Sequence, residues 1–275
     1  MRIEEYPAQE PLSALGLAYH EKARAAGAGI TGVDEAYGDD PYQRLSIHRA
    51  VRPHGDVLVF LHGGGWTNGY KEWLAFMAPA LTSAGITFAS IGYRLAPQHV
   101  FPTGLADARA GVALLLKRAA AFGADPKRLF VGGHSAGGHY AALMTVKSVW
   151  EPGASPGPAS LRGCLPISGV FDFGAQSGLP QRPRFLGDPA AQAEGPASPI
   201  ENIKGTPPPF FLTWGSEDFP HLIPQAKRMA AALAAAGGTV DQLELAGCNH
   251  FTASYEGGNA EGRWVGRAVE WMKKQ

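Results

Sequence analysis

Ser135 stands at the centre of Gly133-His134-Ser135-Ala136-Gly137, a Gly-x-Ser-x-Gly stretch between the apolar run Leu129-Phe130-Val131 and a series of small residues. A serine hydroxyl is a weak nucleophile until a base takes its proton, and the base needs a carboxylate to orient it. Two later stretches supply those types: "FFLTWGSEDF" carries Asp218 and "LELAGCNHF" carries His250. A further stretch, His62-Gly63-Gly64-Gly65-Trp66, sets three glycines in succession, which is costly in backbone entropy unless the loop must aim N–H groups at a developing negative oxygen. Gly64, Gly65 and the N–H of Ala136 are the expected donors. The order serine, acid, histidine is the one required when the nucleophile sits on a strand-to-helix turn of an α/β sheet.

Each of these signals has a plainer alternative. The serine stretch reads also as a glycine turn before a tightly packed helix, and the glycine loop as a flexible turn beside a packed tryptophan. Glu217 adjoins Asp218 and is a rival acid, while His221 is the rival base. Asp107, Asp172 and Asp188 read as loop or helix-end ligands. His62 and His134 are expected to order their own loops, and His54 and His99 to lie at the surface or in turns. His139 follows Ser135 by four residues on the same helix and is expected to point away from the hydroxyl.

The elements that must position these residues follow from the hydrophobic pattern. Val57 to Leu61 is a compact apolar run, suited to a strand covered on both faces, and it ends in the glycine loop. Helical stretches then alternate with short β-rich runs. A helix near Glu72 to Ala84 leads to "ITFASIGY", Gly104 to Phe122 to "RLFVGG", Ala136 to Val149 to "LRGCLPISG", and "PFFLTWG" to "LIPQAKRMAAALAAAG". The strand "TVDQLEL" and a last helix ending near Lys273 follow. This alternation predicts an α/β fold with a mostly parallel sheet and helices on both faces. Ahead of it lie a helix within residues 10–30 and a polar stretch, "GVDEAYGDDPYQRL", expected to be a surface loop leading to an edge strand at Leu45 to Arg49. Residues 1–275 read as a single domain, in which the irregular segment 151–209 contains one core strand and a possible small lid.

With 24 basic and 24 acidic residues the formal net charge is zero, so no attraction to a polyanion is expected and nucleic acid is excluded as a partner. Cys164 and Cys248 have no metal-ligand spacing and form no disulfide framework. There is no His-Glu-x-x-His, and neither a Gly-x-Gly-x-x-Gly nor a glycine loop ending in Gly-Lys-Ser/Thr follows the first apolar strand, so neither metal nor cofactor is expected. The acidic start lacks the pattern of a secretory signal, and no apolar run is long enough to span a membrane. A cytoplasmic location is the expectation. Nothing in the chain decides between monomer and homodimer.

The stretches "HGGGW", "YRLAP", "GGHSAGG", "GSEDF" and "GCNHF" together resemble the α/β-hydrolase superfamily, in particular its HGGG branch of hormone-sensitive-lipase-like carboxylesterases. "YGDDPYQRLSIHRA" and "SGVFDF" are similar to kynurenine formamidase-like and small feruloyl-esterase-like members. The resemblance implies an α/β-hydrolase fold with Ser135 as nucleophile, Asp218 as acid, His250 as base, and Gly64, Gly65 and Ala136 as oxyanion donors. It also implies that Tyr93, Arg94 and Asp107 tie loops beneath the turn. Only 61 residues precede His62, short of the long N-terminal cap of typical hormone-sensitive-lipase-like enzymes, which favours a small acyl or formyl substrate. The expected chemistry is acyl transfer to water from a small ester or amide, an arylformamidase or carboxylesterase reaction. A peptidase remains open, and a non-catalytic binding protein has little use for all four features. Trp66, Tyr70, Trp73 and Phe219 lie near the loops and are expected to form an aromatic substrate pocket.

Overall fold

The computed structural model describes residues 2–275. Its single sheet has eight strands: β1 (Val33–Ala36), β2 (Arg44–His48), β3 (Gly55–Leu61), β4 (Thr87–Ile91), β5 (Ala124–His134), β6 (Leu161–Ile167), β7 (Phe210–Glu217) and β8 (Val240–Asn249). Their order is β1-β2-β4-β3-β5-β6-β7-β8. β1, β2 and β4 pair antiparallel, and every neighbour from β4 through β3 to β8 is parallel.

The helices are α1 (Ala14–Gly27), α2 (Ala78–Ser83), α3 (Thr103–Arg118), α4 (Ala136–Lys147), α5 (Arg182–Leu186), α6 (Glu194–Ala197), α7 (Leu222–Ala235), α8 (His250–Tyr255) and α9 (Arg263–Lys273). The period of two along β3 divides the core. Val57, Val59 and Leu61 join Leu105 and Val112 of α3 with Met229 and Leu233 of α7, while Leu58 and Phe60 join Leu81 of α2 with Trp264 and Met272 of α9. A strand with helices on both sides has no wet face, which is why its sequence is an unbroken apolar run.

Three departures from the sequence expectations have physical causes. The polar stretch at 33–36 is a strand, not a loop: β1 is a four-residue edge with largely exposed side chains, held to β2 in the register Val33↔Ile47. The region 71–83 begins as a 3-10 helix, Lys71–Met77, and becomes α-helical only at α2, which carries Pro79 in its first turn. His250 itself opens a short helix, α8, capped by the Asn249 side chain, which accepts from the N–H groups of Phe251 and Thr252. In the irregular segment, β6 is the expected strand, and α5 and α6 are short helices. Phe185 of α5 is fully buried and stacks on Trp66 at 4.4 Å, which pins this segment to the core.

Candidate active site

Ser135 is the residue between β5 and α4, with φ 54° and ψ −117°. A non-glycine residue in that region is strained and persists only where its surroundings fix it. The flanking glycines show what fixes it. A Cβ on Gly133 would lie 2.3 Å from the carbonyl carbon of Gly137, and one on Gly137 would lie 2.0 Å from the Leu61 carbonyl oxygen. The strand, the turn and the helix therefore touch backbone to backbone, and the serine side chain is left to project from the end of the sheet.

His250, at the end of β8, and Asp218, just past β7, meet that hydroxyl. His250 Nδ1 lies 2.8 Å from Asp218 Oδ1, and His250 Nε2 lies 2.9 Å from Ser135 Oγ. A carboxylate only accepts, so Nδ1 carries the hydrogen and Nε2 is left as the acceptor for the Ser135 hydroxyl. Burial alone pushes the Asp218 carboxyl up. The hydrogen bond and charge of His250, then the hydroxyl of Ser168 and the N–H of Phe219, outweigh that and hold it below the ordinary carboxylate range. The rivals are elsewhere: Glu217 is exposed, and His221 lies beside Phe219 rather than on the Ser135 hydroxyl.

The loop after β3 reaches over the same point. Gly64 has φ +115°, and a Cβ there would sit 2.1 Å from the Asn68 carbonyl oxygen; Gly65 has φ +60°. The N–H groups of Thr67 and Asn68 donate to the Gly64 carbonyl and close the loop on itself. Ala136 opens α4, so its N–H has no acceptor within the helix and lies at the positive end of the helix dipole. Beneath the loop the Tyr93 hydroxyl donates to the His62 carbonyl at 2.7 Å, and Arg94 forks onto both oxygens of Asp107 at 2.8 and 2.9 Å. This is the tie that the resemblance implies for Tyr93, Arg94 and Asp107.

Ser135, His250, Gly64 and Gly65 border a cavity of about 480 Å³. Three of the four aromatic residues expected at the pocket line it: Trp66, Trp73 and Phe219. Phe219 is the most open of them and stacks on the His250 ring at 4.4 Å. Trp66 and Trp73 are buried and serve as wall and core together. Tyr70 is not part of the lining; its ring packs instead against Tyr6 at 5.1 Å and Trp73 at 5.7 Å, because the 3-10 turn that begins at Lys71 turns Trp73 toward the cavity. Tyr19 and Phe251 complete the aromatic wall, and Leu179, Pro180, Gln181 and Arg184 of the irregular segment form part of the rim. Arg184 pairs with Glu10 at 2.5 Å, joining that rim to the front of the chain.

Three histidines beside the site, His62, His134 and His139, are almost fully buried and carry neutral rings. His134 donates from Nε2 to the His250 carbonyl at 2.9 Å, and His62 donates from Nδ1 to the Gly63 carbonyl at 2.7 Å. His139 donates from Nε2 to the Ala197 carbonyl at 2.8 Å and accepts from the Trp66 indole at 3.1 Å. Burial lowers their pKa values to about 4 for His62 and about 3 for His134 and His139. In the unfolded chain each takes a proton near 6.5, so between these limits the unfolded state binds more protons and stability falls as pH falls. Each histidine contributes a slope of up to about 1.4 kcal/mol per pH unit. Urea midpoints recorded from pH 8 to pH 4 are expected to hold steady above pH 7 and to fall progressively below 6.5. A flat profile between 6.5 and 5 contradicts the neutral assignment.

Among the described residues no cluster of histidine, cysteine, aspartate and glutamate is arranged to hold a metal ion, and no helix is long and apolar enough to cross a membrane. Comparison with known proteins agrees with the geometry. The family model described as the α/β-hydrolase fold matches residues 58–254. Esterase LipC of Mycobacterium tuberculosis is 31% identical over 78% of this chain and 58% of its own length. The probable isoprenylcysteine α-carbonyl methylesterase ICMEL1 of Arabidopsis thaliana is 28% identical over 78% of this chain and 49% of its own. The chain thus spans about half to three fifths of the length of these two relatives. The hyperthermophilic esterase of the archaeon Pyrobaculum calidifontis superposes with a TM-score of 0.76 at 20% identity, over 94% of this chain and 92% of that one. A butyrate-bound esterase of Thermogutta terrifontis gives 0.72 at 19%, over 89% and 94%. At such identities the likeness is one of fold, whereas the family model covers well over half of the chain: this protein belongs to the α/β-hydrolase fold family.

Proposed function

We propose that the protein is a serine-dependent carboxylic ester hydrolase that acts on a small, aromatic substrate through an acyl-enzyme. The observation that carries this reading is the unbroken chain from Asp218 through His250 to Ser135 at the wall of a cavity bordered by Gly64 and Gly65. His250 Nε2 takes the Ser135 proton as Oγ attacks the carbonyl carbon, and Asp218 holds the imidazolium that forms. The N–H groups of Gly64, Gly65 and Ala136 stabilise the tetrahedral oxygen. His250 then protonates the leaving alcohol, and a water deprotonated by the same ring releases the acid and restores the serine. Within the irregular segment 151–209, the proposed small lid includes Leu179, Pro180, Gln181 and Arg184 at the cavity rim. The esterase names of the relatives, and the butyrate held by the Thermogutta terrifontis protein, favour a short acyl group.

Aryl formamides are the second reading, favoured by the ring of Phe219 stacked on His250 and by the aromatic wall of Tyr19, Trp66, Trp73 and Phe251. Steady-state hydrolysis of 4-nitrophenyl acetate and N-formyl-L-kynurenine separates the two. Saturable turnover of the acetate is expected. A kcat/KM for the formamide above that for the ester makes the protein an arylformamidase, and no turnover of either removes both readings.

A further inference from the structure

The nucleophile follows β5 and the acid follows β7, with β6 between them supplying neither. Yet the tip of β6 touches both. The Ile167 carbonyl accepts from the Ser135 N–H at 3.0 Å, and the next residue, Ser168, donates from its N–H to the Thr213 carbonyl of β7 at 2.8 Å. Ser168 has φ +52°, close to the +54° of Ser135, so two strained non-glycine residues face each other across adjacent strand ends. Strain of that kind is retained where the conformation does something a relaxed one cannot. At Ser168 it turns the hydroxyl toward Asp218, and Oγ donates to Oδ2 of the carboxylate.

The other carboxylate oxygen is fully engaged. Asp218 Oδ1 accepts from His250 Nδ1 at 2.8 Å and from the Phe219 N–H at 2.7 Å. Both Ser168 and Asp218 are buried, so an Oδ2 deprived of the hydroxyl has little access to water in exchange. We propose that Ser168 is a positioning residue for the reaction proposed above: it locks the rotation of the Asp218 carboxylate, so that Oδ1 stays on His250. The dipeptide Ile167-Ser168 then acts as a spacer, holding the amide of the nucleophile through one residue and the acid through the next. The inference rests on the assignment of Ser135, His250 and Asp218 to catalysis.

Two substitutions separate the hydroxyl from the backbone. Ser168→Gly removes the hydroxyl and relieves the strain at φ +52°, while Ser168→Ala removes the hydroxyl and keeps the strain. If the hydroxyl positions the acid, both lower kcat for 4-nitrophenyl acetate by about ten- to hundredfold, the range for a lost hydrogen bond to a buried charge, with KM nearly unchanged. Both also move the acid limb of the kcat/KM profile to higher pH. A carboxylate that has lost a donor holds a proton more tightly, so the first protonation of the Asp218–His250 pair occurs earlier on acidification. Wild-type kcat and pH profile in Ser168→Gly overturn the proposal. So does a rate loss with the acid limb unmoved, because a purely structural defect removes active protein without changing its titration. Ser135→Ala assayed in parallel keeps the two levels apart: wild-type turnover in that variant overturns the hydrolase reading itself, whereas a dead Ser135→Ala beside an unaffected Ser168→Gly overturns only the role of Ser168.

Discussion

Ser135→Ala protein is expected to fold as the wild type does and to hydrolyse 4-nitrophenyl acetate more slowly by roughly 10⁴-fold or more in kcat, the range seen when a serine nucleophile is removed. Alanine at φ 54° meets the same backbone strain as serine, and the packing between Gly133, Gly137 and Leu61 that enforces the turn involves no atom of the hydroxyl. The thermal midpoint should therefore stay close to that of the wild type while turnover disappears. The double variant S135A/H250A should be no slower than S135A alone, since a base without a nucleophile has nothing to deprotonate. Near-wild-type turnover in a pure Ser135→Ala sample removes the nucleophile assignment, and an additive double variant removes the coupling between the two residues.

Gly64→Ala is expected to cost roughly 10²- to 10³-fold in kcat, comparable to deleting one oxyanion donor. At φ +115° an L side chain is strained whatever the space, and here there is none, because the new Cβ would fall 2.1 Å from the Asn68 carbonyl oxygen. The loop must unwind to accept it. The bonds from Thr67 and Asn68 to the Gly64 carbonyl are lost first, and the N–H groups of residues 64 and 65, the proposed oxyanion donors, are displaced with the loop. Ser135 and His250 are untouched by this change, so a fluorophosphonate that phosphonylates the serine with loss of fluoride should still label it, slowly. Wild-type kcat in Gly64→Ala shows that the loop has no part in stabilising the oxyanion.

The sequence reveals most where chemistry and packing make the same demand. The glycines of the serine turn are required both by backbone contact and by the exposure of Ser135, and the apolar run Val57 to Leu61 is required by helices on both faces. Asp218 and His250 are legible because they follow strand runs in the necessary order. β1 is not, because a four-residue edge with polar, exposed side chains has no periodic signal, and pairing with Ile47 supplies what the pattern lacks. Ser168 is visible in "SGVFDF" only as part of a stretch, since its contact with Asp218 spans 50 residues and depends on a backbone conformation that no pattern of residue types encodes. Tyr70 illustrates the converse. Its proximity in sequence to the glycine loop suggested the pocket, but the 3-10 turn beginning at Lys71 carries Trp73 there instead.

The ends of the site are far apart along the chain, with Ser135 and its hydrogen-bonded partner His250 separated by 115 positions. Closing a loop of that length is entropically unfavourable until the contacts it brings are made, and parallel pairing of β7 with β8 is among those contacts. β8 is also the terminal strand of the sheet, bonded on one side only. A folding chain can therefore form the strained serine turn, which is local to β5 and α4, well before it owns a base to activate it. On the proposed assignment, Ser135 gains its base only once the last strand has docked, and hydrolysis would then report a completed sheet.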